Sequence, residues 1–182
     1  MMFPLLYGIG AGSRTNPATS YANTYGTGDR TASITITSSD QAVDAGTLNN
    51  LVDGLFGNSS NDGVDFGPGI SSASASGEGV LIDFGSTAVK FIDEVKIYKS
   101  GDNFGTGWLM RGSNDALTFH NLTSSSFSLA STSTANTITL DQPNGPSDAA
   151  GWRYLQLYGG STGAIWANAW LTEFEFKIAN IS

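Results

Sequence analysis

Apolar residues along this chain alternate with polar ones and rarely recur at helical spacing. Ile34 and Ile36 alternate with Ser and Thr across 32–37, the period of a strand with one buried face. A strand follows at 80–84, ended by Gly85, and the same period returns at 91–98, where Val95 and Ile97 face one way and Glu94 and Lys96 the other. Further strands are predicted over 108–111, 127–129, 137–140, 152–158 and 172–178. In the last of these Phe174 and Phe176 point inward, and Glu173, Glu175 and Lys177 outward. Ser100-Gly101-Asp102-Asn103, Gly112-Ser113-Asn114-Asp115 and the Pro143, Gly145, Pro146 group supply turn chemistry between them. Residues 44–52 predict one or two helical turns, stopped by Asp53-Gly54. Residues 57–79, dense in Gly, Ser, Asn and Asp, read as a loop. The Ser/Thr tract 123–137, with Phe127, Leu129, Ile138 and Leu140 in and beside it, predicts an exposed hairpin. About eight short strands without an amphipathic helix predict an all-β sandwich or jelly roll.

Composition narrows the function. The 182 residues suit one large domain, here 31–182, preceded by an arm over 1–30. Charged residues make up 13%, about half the usual share. With Lys+Arg 8 against Asp+Glu 16, the net charge is -8. Clustered cations are what a phosphate backbone requires, so a nucleic-acid partner is excluded, and attraction to anionic lipid with it. No apolar run is long enough to cross a membrane as a helix. There is no Cys and one His, His120, which removes thiol catalysis, disulfides and His-rich metal sites. No Gly-x-Ser-x-Gly elbow accompanies His120. Glu173 and Glu175 sit on one strand face instead of across a cleft, unlike a glycosidase pair. These features argue against an enzyme. Asn58, Asn121 and Asn180 open sequons that chance explains in so Asn- and Ser-rich a chain.

The arm has a chemistry of its own. Met1, Phe3, Leu5, Leu6, Tyr7 and Ile9 are apolar, and no charge appears before Arg14. The segment lacks the basic start of a secretory signal and reads as mature protein. Left free it would be an adhesive patch. Either it folds back as an extra strand or it docks into another chain. The Gly/Ser/Thr/Asn stretch behind it is suited to a tether, which favours docking.

Five segments, in order, resemble the discoidin, or coagulation factor 5/8 type C, family. They are Leu51-Val52-Asp53-Gly54; Val80-Leu81-Ile82-Asp83-Phe84-Gly85 with Ile92 to Tyr98 after it; Arg111-Gly112-Ser113-Asn114-Asp115 with Phe119; 152–157; and 171–176. The resemblance implies a discoidin-like, galactose-binding-like jelly-roll β-sandwich of the kind found in many carbohydrate-binding modules. It also implies a structural Ca²⁺ shared by the Asp-Gly loop and the Glu opening the last strand, here Asp53, Asn58, Ser59 and Glu173. The alternative is that Asp53 caps a turn and Glu173 is solvated.

Modules of this family carry saccharide contacts on loops at one end. Trp166 and Asn168 in the loop 163–168, and Phe104 in 102–105, fit that role here; the alternative is that Trp166 plugs the sandwich or packs on a neighbour. Trp108, Trp152 and Trp170 read as core. Arm, tether and sandwich together suggest a structural or adhesion protein of a bacteriophage virion. The arm would bind other subunits in a homo-oligomer or larger assembly, and the loops would meet host-surface glycans. The alternatives are a carbohydrate-binding module of a secreted bacterial protein and a purely architectural virion subunit.

Overall fold

A computed structural model describes residues 16–39, 43–56, 62–65, 79–86, 90–100, 106–130, 135–143, 151–159 and 170–180. The predicted alternation is realised as two antiparallel sheets. The first orders β1 (Thr35–Ser39), β4 (Gly79–Asp83), β10 (Tyr154–Gly159), β6 (Thr106–Ser113) and β7 (His120–Asn121), with β8 (Phe127–Ser128) also on β6. The second orders β2 (Ala45–Gly46), β3 (Val64–Asp65), β11 (Trp170–Asn180), β5 (Lys90–Ser100) and β9 (Asn136–Thr139). The helical turns expected in 44–52 form a 3-10 helix at Leu48–Val52.

The sheets face each other through their apolar positions. Val80, Ile82, Trp108, Met110, Leu155 and Leu157 from one meet Val95, Ile97, Phe174, Phe176 and Ile178 from the other, all buried. Each such side chain contributes roughly 1.5–3 kcal/mol by leaving water. Register concentrates them: Leu157 pairs with Val80 on one side and Met110 on the other. Gly112, opposite Leu155, leaves room for Trp152, whose ring carbon Cδ2 would lie 2.5 Å from a Cβ placed there. The Trp152 indole N–H donates to the Pro143 carbonyl at 2.6 Å. Trp108 and Trp152 are core residues as expected, whereas Trp170 is half-buried.

Two features depart from simple alternation. A bulge between Leu171 and Glu173 adds a residue to β11. Leu171 and Phe174, at odd and even positions, therefore both reach the core. The expected hairpin over 123–137 is not one: β8 pairs with β6, and β9 with β5 in the other sheet. Leu129 and Leu140 are both buried in the shared core, so each flank of the tract follows its own sheet.

Residues 16–30, half of the predicted arm, are bonded to the sandwich. Ser20 exchanges backbone hydrogen bonds with Ile178, and the Phe176 N–H donates to Gly26 O at 3.0 Å. The Thr19 hydroxyl donates to Asp93 at 2.7 Å. Met1, Phe3, Leu5, Leu6, Tyr7 and Ile9 lie outside the described residues.

Candidate functional site

The strand ends decide which loops can act together. Ser100, at the end of β5, pairs with Trp170, at the start of β11. Gly159, at the end of β10, pairs with Trp108 near the start of β6. The borders of 101–105 and 160–169 thus meet at one end of the sandwich. Phe104, Trp166 and Asn168, expected to contact saccharide, belong to those two segments and lie outside the described residues. Beside this end stands an aromatic group not anticipated from the sequence. Phe56 is 51% exposed, and its ring centroid lies 4.6 Å from that of Tyr98.

Tyr98 opens a row across the outer face of the five-stranded sheet. Its hydroxyl donates to Glu175 Oε2 at 2.8 Å, and Lys96 Nζ lies 3.5 Å from the same oxygen. Lys96 also sits 4.1 Å above the Tyr21 ring, and the Tyr21 hydroxyl donates to Glu94 at 2.8 Å. Burial, then the bond to Glu175, pushes the Tyr98 phenol up to about 12. Burial and Glu94 likewise raise Tyr21. The arrangement leaves the Phe56 ring exposed against Tyr98, beside a row whose hydroxyl, amine and carboxylate groups bond to one another.

The residues expected to hold calcium are placed differently from that expectation. Glu173 is fully buried. Its Oε1 accepts from Arg30 Nη2 in a close ion pair, and its Oε2 accepts from the Gly54 N–H at 2.7 Å. Asp53 Oδ1 accepts from the Leu55 N–H at 2.8 Å. Burial, followed by neighbouring acids, raises the Asp53 carboxyl. Asn58 and Ser59 lie outside the described residues, and among those described no three acidic or histidine side chains converge as ligands. Burial pushes the Glu173 carboxyl up and draws Arg30 down, while their mutual contact opposes both shifts and favours the charged pair. Gly54 has φ +82, and a Cβ there would lie 2.8 Å from the Gly28 carbonyl carbon. A glycine is what lets its N–H approach Glu173. Arg30 was not singled out as a site residue, although it is the one basic residue between Arg14 and Lys90.

His120, the residue a hydrolase would need, pairs with Gly112 in β7 and rests against the Trp152 ring with centroids 5.5 Å apart. No described hydroxyl or carboxylate bonds to it in the manner of a catalytic triad. Arg111, by contrast, is held by rings: its guanidinium carbon lies 4.3 Å from the Tyr158 ring centroid and 5.4 Å from that of Phe119.

No protein-family model and no curated protein sequence matches the chain. Solved structures do. A family 32 carbohydrate-binding module from Clostridium perfringens NanJ, in complex with galactose, aligns with TM-score 0.55 at 14% identity, over 82% of this chain and 97% of that one. A family 32 module from AlyQ, in complex with 4,5-unsaturated mannuronic acid, aligns with TM-score 0.51 at 19% identity, over 78% and 92%. Allantoicase from Saccharomyces cerevisiae, an enzyme, aligns with TM-score 0.53 at 15% identity, over 79% of this chain and 39% of that one. These likenesses concern the fold, which hosts binding modules and a catalyst alike. The chain is similar in architecture to the family 32 modules: a galactose-binding-like jelly-roll sandwich.

Proposed function

We propose that this chain is a non-catalytic glycan-binding module whose saccharide contacts gather at the end of the sandwich where 101–105 and 160–169 begin and end. The observation that carries this reading is the exposed Phe56 ring against Tyr98, next to that end. An aromatic ring exposed beside polar groups is a surface that the apolar face of a pyranose covers well. The galactose and the unsaturated mannuronic acid in the similar modules support a sugar as the ligand class. In this reading Trp166 and Phe104 stack on sugar rings, and Asn168 bonds to hydroxyls.

A glycan array with the full chain tests it. Binding by the wild type, lost in Trp166→Ala and weakened in Phe56→Ala, is expected. A wild type that binds no glycan favours the architectural alternative.

We further propose attachment to a phage particle through Met1, Phe3, Leu5, Leu6, Tyr7 and Ile9, on the strength of that uncharged apolar segment and the charge-poor composition. Deleting residues 1–10 should then abolish incorporation into particles and leave the sandwich folded. Incorporation of the shortened chain at wild-type level would remove this reading and favour the secreted module.

A further inference from the structure

Four oxygens from two distant stretches of chain close on one buried guanidinium. Arg30 Nε donates to Gly28 O at 2.8 Å, Nη1 to Gly26 O at 2.8 Å, and Nη2 to both Phe174 O at 2.8 Å and Glu173 Oε1. Arg30 is 2% exposed and Glu173 0%. Three backbone carbonyls and a buried carboxylate are the donor chemistry of a hard cation. The position is already taken by a cation that cannot deprotonate in a protein.

We propose that the Arg30 guanidinium is a tethered counter-ion filling a cation site, and that this sandwich therefore folds without a divalent metal. Charge supports it. Glu173 and Arg30 sum to zero inside the fold, and the remaining Glu173 oxygen is satisfied by the Gly54 N–H. A divalent ion added here would face the guanidinium across a medium of low dielectric, with no ionised oxygen of Glu173 left to offset it. Geometry supports it as well. The planar fork of arginine reaches carbonyls of two loop residues and of β11 at once, joining the segment before β1 to the last strand as a shared ion would.

Thermal melts with excess EDTA or with millimolar CaCl₂ test the proposal directly on the wild type. An unchanged Tm is expected; a Tm that chelation lowers or calcium raises overturns it. Arg30→Ala tests the cage. It should lose on the order of 10 °C in Tm, and CaCl₂ should restore part of the loss by entering the vacated oxygens. A variant indifferent to calcium overturns the reading of these oxygens as a cation site. Should Arg30→Ala fail to fold in either condition, Arg30→Lys against Arg30→Met decides. A cation requirement is met better by lysine than by methionine, and equal losses overturn it.

Discussion

Gly112 shows how one residue sets the packing of a sheet. Its missing side chain is the space that the Trp152 ring fills, and Trp152 in turn carries Arg153 to Asp83, where Nη2 and Oδ2 lie 2.9 Å apart. Gly112→Ala should therefore cost about 1–3 kcal/mol and lower Tm by several degrees, read by calorimetry. At this scale the sequence is only partly legible. Trp108 and Trp152 declare themselves as core by their place in apolar strands. Arg30 does not, because its role depends on Gly26, Gly28, Gly54 and Glu173, and no local pattern reports a contact made across 143 positions. Phe56 was hidden for the same reason: an aromatic beside a loop looks alike whether it is buried or exposed.

At the scale of the element, the sequence pattern located the long strands, although in β11 the bulge and the buried Glu173, expected to point outward, break the alternation. β5 and β11 contain the predicted 91–98 and 172–178. β2, β3 and β7 are two-residue pairings, too short to leave a period in the sequence. The outer face of the five-stranded sheet yields a pH prediction. The Tyr98 phenol, ordinarily near 10, stands at about 12 in the fold because burial and Glu175 favour its neutral form; Tyr21 shifts in the same direction. A raised folded-state value means that the native state holds its proton more tightly than the unfolded chain. The associated stability is complete below pH 10 and is lost as pH rises toward 12 and beyond. Melting temperatures should thus fall over that interval, less steeply in Tyr98→Phe, which has no proton to lose there. A parallel decline in variant and wild type would remove Tyr98 from the account.

For the whole molecule, the placing of residues 16–30 is the feature that composition hid. A stretch of Thr, Asn, Gly and Ser reads as a tether, yet here it supplies backbone partners to β11 and the buried Arg30. Two truncations separate these roles. Removing residues 1–10 should leave the melting transition near its wild-type position. Removing residues 1–30 should leave Glu173 buried without its counter-charge and cost roughly 3–5 kcal/mol, seen as a large loss of Tm or as failure to fold. Equal stability of the two truncations would show that the sandwich does not need the segment.

The pairing of Ser20 with Ile178 also governs how the module can be carried. It brings the beginning and the end of the described chain side by side. Both lie at the far end of β11 from Trp170, whose strand of 11 residues spans roughly 30 Å. A body joined directly at Asn16 or at Asn180 would be attached on that same side. A body that holds this sandwich by either terminus would turn the opposite end, with the borders of 101–105 and 160–169, outward. Tension between the two termini would peel the Ser20–Ile178 pair apart one bond at a time, so the segment would yield before the strands behind it.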